Sequence, residues 1–171
     1  MAPRVKARPD LHAEDLYAWS SAQADLLRAG RFAELDLAHL IEEIEDVGGA
    51  MKRAARKRTR TILEHLLKLE HSPARALRAG WRATIRTQRV RLRDALTPTL
   101  RRELEQELAQ LYDDARGLAE GGFRDHGEDA SANALPRTCP YTFDQITGDW
   151  LPELWQWVRA QKLKRMPAVP P

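Results

Sequence analysis

The sequence predicts an all-α protein: a helical bundle of about four main helices with short C-terminal helical elements. Three observations carry that reading. Apolar residues recur at steps of three and four along most of the chain. No segment keeps the period-two alternation of a half-buried strand. Residues that start helices (Asp, Thr) and residues that end them (Gly, Pro) fall between the periodic stretches. The 171 residues, 43% hydrophobic and 31% charged, suit a single globular domain. The expected organisation is an N-terminal tail over 1–12, one helical domain over 13–152, and a Trp-containing, basic, Pro-rich tail over 153–171.

The first helix carries Leu16, Trp19, Gln23, Leu26 and Leu27 on one face, and Gly30 suits its stop. Asp36 is a good N-cap for the next stripe of Leu37, Leu40, Ile41, Ile44 and Val47. Gly48-Gly49 would normally end a helix, since each glycine costs about 1 kcal/mol against Ala. The stripe nevertheless continues in phase through Met51, Ala55, Arg58, Ile62, Leu66 and Leu69, which predicts one long helix ending at Ser72-Pro73. Trp81, Ile85, Gln88, Leu92 and Leu96 mark a third helix. Thr97-Pro98 opens a fourth, with Leu100, Leu104, Leu108, Leu111, Ala115 and Leu118, and Gly121-Gly122 is expected to stop it. Residues 121 to 140 read as a polar loop. Thr142 then caps a short helix containing Phe143 and Ile146, and Pro152 interrupts the chain.

Several classes are excluded. Cys139 is the single cysteine, so no disulfide framework exists. No apolar run approaches the ~18–20 residues of a membrane span. The first ten residues lack the apolar core of a secretory signal, and a cytoplasmic, bacterial-type protein is expected. No Gly-rich phosphate loop, zinc knuckle or nucleophile elbow occurs, and no cofactor is implied.

The net charge of +3 conceals opposing blocks. Residues 34 to 46 hold six acids and no Lys or Arg. Residues 52 to 93 hold fourteen Lys and Arg against Glu64 and Glu70, a local balance of +12. Residues 94 to 129 return a balance of −6. Arg82, Arg86, Arg89 and Arg93 share one helix face, as do Arg53, Lys57 and Arg60. Such stripes suit phosphates, since Arg offers a planar, bidentate fork. They equally suit internal pairing with Glu42, Glu45 and the acids of the fourth helix. The leading expectation is a non-enzymatic binding module for an anionic partner, nucleic acid or an acidic protein.

Blocks spread over residues about 13 to 152 carry a resemblance: Asp15-Leu-Tyr-Ala-Trp19, Leu27-Arg-Ala-Gly30, Leu35-Asp36, Leu40-Ile-Glu-Glu-Ile44, His65-Leu-Leu-Lys68, Trp81-Arg82 with Ile85, Tyr112 with Ala115-Arg116, Cys139-Pro-Tyr-Thr142 and Leu151-Pro152. In order and spacing the chain resembles the bacterial family known as domain of unknown function twenty-nine. The resemblance implies an all-helical fold and no activity. Leu69 and His39 depart from that pattern, where an aromatic and a small polar residue are common.

Two site hypotheses remain. Arg60-x-x-x-x-His65 is similar to the catalytic motif of helical ribonucleases of the HEPN type, in which His moves protons and Arg stabilises phosphate charge. Residues five apart differ by about 140° around a helix, however, so the two do not share a face. The bland alternative is a helix-end or core histidine. Glu42 and Glu45, three apart, are candidate carboxylate ligands for a metal in a bundle, but no Glu-x-x-His accompanies them. Asp36-x-x-His39 is better read as a cap, and no metal is assigned. Cys139-Pro-Tyr-Thr142 reads as a loop anchor, because no base adjoins the thiol. Trp155 and Trp157 beside the tail cations suit docking. Leu26-Leu27 and Leu66-Leu67 are candidate faces for a homodimer.

Overall fold

The structure is a computed structural model, and it describes residues 11 to 152. Every regular element among them is helical, with no strand. In order these are α1 (Leu11–Glu14), α2 (Leu16–Arg28), α3 (Leu37–His71), α4 (Arg78–Ala95), α5 (Pro98–Gln106), α6 (Leu108–Asp125), α7 (Asp129–Asn133) and α8 (Phe143–Thr147). Two 3-10 turns, Phe32–Glu34 and Arg75–Leu77, precede α3 and α4. The predicted docking tail, with Trp155 and Trp157, lies outside the described residues. The chain divides into two compact units, Met1–Ala50 and Met51–Pro171.

In the first unit, the Asp15 carboxylate caps α2 by accepting from Ala18 N at 2.9 Å. Gly30 ends the helix as expected. Its φ of +67° is open to glycine without strain, and Arg31 N closes back on Leu26 O at 2.9 Å. Of the predicted α2 stripe, only Trp19 and Gln23 are buried. Both serve the start of α3: Gln23 Oε1 accepts from Asp36 N at 2.9 Å, and the Trp19 indole donates to Asp36 Oδ2 at 3.3 Å.

Helix α3 runs unbroken through Gly48-Gly49, as its in-phase stripe predicted. The stripe's first half departs from expectation. Leu37, Ile41, Ile44, Val47 and Met51 are exposed instead of buried, Ile44 by 70%.

In the second unit the same stripe becomes core. Ala55, Ile62, Leu63, Leu66, Leu67 and Leu69 are buried with Ile85 and Leu92 of α4, Leu104 of α5, and Leu111, Tyr112, Ala115 and Phe123 of α6. Each fully buried Leu or Ile contributes roughly 1.5–3 kcal/mol. Leu66-Leu67, a candidate dimer face, is therefore interior. Ser72 ends α3, its Oγ accepting from Ala74 N at 3.0 Å beyond Pro73.

The predicted fourth helix is two. Thr97 caps α5, accepting from Leu100 N at 3.2 Å. The helix breaks at Glu107, whose carboxylate pairs with Lys52 and Arg56 of α3. Helix α6 then passes the predicted stop at Gly121-Gly122. Phe123 is buried one residue beyond, and the positive-φ residue that ends the helix is Gly127. The predicted 121–140 loop accordingly contains the end of α6 and all of α7. It is tied down by Ser131 Oγ to His71 O (2.8 Å) and Tyr112 OH to Pro136 O (2.7 Å). Thr142 caps α8 in a capping box with Gln145.

Candidate functional site

Positive charge in the second unit separates into cations paired with carboxylates and cations exposed at the surface. On α3, Lys52 reaches Glu103 and Glu107 at 2.9 Å each, Arg56 bonds Glu107, and Arg60 lies 3.9 Å from Asp114. These basic residues interlock with the acids of α5 and α6. Arg53 and Lys57 are exposed on α3.

Helix α4 divides its arginines differently. Arg89 is only 3% exposed, and its guanidinium donates to Ile146 O (2.9 Å), Gln145 O (2.6 Å) and Trp150 O (2.7 Å). It clamps the carbonyls of α8 and the turn after it from a buried position, so it leaves the binding stripe in which its spacing placed it. Arg93 bonds Asp149 at 3.3 Å. Arg82 and Arg86 are exposed and have no ion-pair partner among the described residues.

The start of α4 adds two arginines that spacing alone did not single out. Arg78 is the first helical residue and only 7% exposed. Its Nε and one terminal nitrogen are buried without a hydrogen-bond partner among the described residues. Burial holds its pKa below the ordinary guanidinium range, and the nearby charges of Arg82 and Arg75 lower it further. A buried cation without an acceptor is costly. The 3-10 turn Arg75–Leu77 runs into α4, where the Arg78 amide donates to Arg75 O; no side chain caps this start, and the positive end of the helix dipole adds to the same place. Together Arg75, Arg78, Arg82 and Arg86 form a cationic row. The sequence signal was present in the three- and four-residue spacing that runs back from Arg82. What hid it was the expected helix start at Trp81.

His65 is half-buried, and its Nδ1–H donates to Thr61 O at 2.9 Å. Burial lowers its pKa, opposed by Glu64. Arg60 points to Asp114, and no hydrogen bond joins it to His65. The cleavage constellation is not assembled within the chain.

Glu42 and Glu45 are exposed, and among the described residues no three His, Cys, Asp or Glu side chains gather as a metal would require. The histidines of the first unit cluster without being ligand-spaced. His12 and His39 stack at 4.1 Å; His12 Nε2 lies 2.8 Å from Glu43, and His39 Nδ1 lies 2.6 Å from Asp36. The His39 bond is the main reason the Asp36 carboxyl sits below its usual range. Sequence spacing missed this pair because His12 arrives from α1. Cys139 Sγ bonds Tyr141 O at 3.4 Å, and burial pushes its thiol up, which disfavours a nucleophile and suits an anchor.

The family model described as "Domain of unknown function DUF29" matches residues 11–151. The chain belongs to that family. A crystal structure of an alpha-helical protein of unknown function from Rhodospirillum rubrum is similar to this DUF29 chain. It has a TM-score of 0.61 and 26% sequence identity, covering 85% of this chain and 92% of that one. No curated protein matches the chain. The DUF29 assignment and the helical neighbour agree on an all-α fold. No helix among the described residues is long and apolar enough to cross a membrane.

Proposed function

We propose that the protein is a binding module for a phosphate-bearing partner, nucleic acid, which it meets with the Arg75–Arg78–Arg82–Arg86 row of α4. The observation that supports this most is Arg78: a residue only 7% exposed, with two guanidinium nitrogens buried without an acceptor among the described residues, at a helix start that no side chain caps. An anion there supplies the missing acceptor and meets the helix dipole with the favourable sign. Arg82 and Arg86, open to solvent one and two turns on, extend the row at a spacing suited to successive phosphates. Lys57 adds an exposed cation on α3. Arg60 and Arg93 have carboxylate partners, and Arg89 has carbonyl partners, so these three contribute little to the outward face.

The test is fluorescence anisotropy with labelled RNA and DNA at roughly 50 and 200 mM salt. Binding is expected to weaken steeply with salt. The double variant Arg82→Ala/Arg86→Ala is expected to keep the melting temperature and to lower the log–log salt slope by about two. No affinity at low salt, where phosphate contacts are strongest, refutes the reading. So does an affinity that the double variant leaves unchanged.

A further inference from the structure

One cleft of the second unit carries unused chemistry. It offers about 70 Å³ and is lined by Trp81 of α4, Lys68 of α3, Gly122 and Phe123 of α6, and His126 and Glu128 just beyond. Trp81 and Phe123 give it aromatic walls. One of its polar atoms lacks a donor among the described residues. Glu128 Oε1 accepts from the buried Ser72 hydroxyl at 3.1 Å, while Glu128 Oε2 is buried with no partner among the described residues. His126 Nδ1–H donates to Gly122 O at 2.8 Å, which fixes the ring at the rim of the cleft. Lys68 is engaged by Glu64 at 2.6 Å, which balances the one cation in the lining. Gly122 keeps the space open, since a Cβ there would stand 3.3 Å from Lys68 Nζ.

The missing occupant is therefore flat, tolerant of aromatic walls and equipped with N–H donors. At roughly 10–15 Å³ for each water, the cleft holds about five water-sized groups. That admits the edge of one planar ring and leaves a sugar and phosphate outside. Trp81 is adjacent in sequence to Arg82 and one turn from Arg78, so a strand whose phosphates follow the cationic row passes the mouth of the cleft.

We propose that this cleft takes the edge of a single unpaired nucleobase, its N–H donors meeting Glu128 Oε2 and its ring lying against Trp81 and Phe123. This rests on the nucleic-acid reading above and adds to it a preference for single strands, because a paired base has its N–H edge occupied.

The experiment compares a 12-nucleotide single-stranded RNA with a blunt duplex of the same sequence, by anisotropy at low salt, using the full chain. The key variant is Gly122→Ala. It adds one methyl to the cleft beside a flexible Lys68 terminus, and alanine favours the α6 helix, so the fold is retained and a melting curve confirms it. The single strand is expected to bind more tightly than the duplex. Gly122→Ala should weaken the single strand about fivefold to a hundredfold, the range of one lost base contact, and leave the duplex unchanged. Glu128→Gln, which retains an acceptor for Ser72 and replaces one oxygen by a donor, should act in the same direction. Equal binding of single strand and duplex, with Gly122→Ala without effect, overturns the cleft and leaves the arginine row standing. Equal loss for both forms also overturns it. No binding of either form by the unaltered protein overturns the nucleic-acid reading itself.

Discussion

Replacing Arg89 by Met should cost the protein about 3–5 kcal/mol, while replacing Arg86 on the same helix by Ala should cost almost nothing. Arg89 donates to three backbone carbonyls within 2.6–2.9 Å, those of Gln145, Ile146 and Trp150. A hydrogen bond to a charged group contributes roughly 1.5–3 kcal/mol. The three do not add in full, because they share one guanidinium and because Trp150 is itself exposed, so water reaches that end once the side chain is gone. Methionine keeps the apolar stem packed against the core and removes only the donors, which isolates the clamp from the cavity. With about 3–4 °C per kcal/mol for a domain of this size, the melting temperature should fall by about 9–20 °C. Thermal unfolding followed by circular dichroism at 222 nm measures it, with Arg86→Ala as the exposed control, expected within about 0.5 kcal/mol. A fall of less than about 3 °C for Arg89→Met would refute the clamp and return Arg89 to the outward face that its spacing suggests.

Two further outcomes follow from buried polar groups. Tyr141 donates to Glu70 at 2.6 Å from a buried position, so Tyr141→Phe should lower stability by roughly 1.5–3 kcal/mol, read as a shift of the urea midpoint without a change of slope. His71 has both ring nitrogens buried without partners among the described residues, and burial, opposed by Glu70, holds its pKa below the ordinary 6.5. His65 is shifted the same way, with burial again the largest cause. The unfolded chain therefore takes up these protons first. Their contribution is intact above about pH 6.5 and is lost as pH falls from there toward the folded values. Urea midpoints at pH 7.5 and 5.5 should show the drop, and His71→Leu should flatten it; an unflattened profile would remove His71 from the account.

The helical class was legible because period and punctuation agreed. Gly30, Thr97-Pro98 and Thr142 each act where their chemistry suggested, while Asp15 caps α2 without having been singled out. Boundaries failed where tertiary contact outweighed local preference. Buried Phe123 carries α6 past two glycines, and Glu107, drawn to Lys52 and Arg56, marks a break that no breaker residue announces. The apolar stripe of α3 shows a subtler limit. Its phase is unchanged from Leu37 to Leu69, yet Ile44 is exposed and Ile62 is buried. Periodicity reports that a helix has an apolar face. It does not report whether that face meets a neighbour.

The arginines of α4 follow the same logic with charge in place of hydropathy. Arg82 and Arg89 are seven residues apart and so lie within about 20° of each other around the helix. Spacing alone treats them as equivalent. They differ because the backbone of α8 and of the turn after it comes up against the later part of α4, where Gln145, Ile146 and Trp150 turn carbonyls toward Arg89. Arg82 meets no such carbonyls and stays open. Arg78, earlier still, is buried like Arg89, but two of its nitrogens find no acceptor among the described residues. The three positions thus separate what a basic stripe can mean: a donor satisfied within the fold, a donor facing water, and a donor removed from water with nothing to bond. The last state is the costly one, so an anion gains most at Arg78 and not at the most basic or most exposed part of the chain.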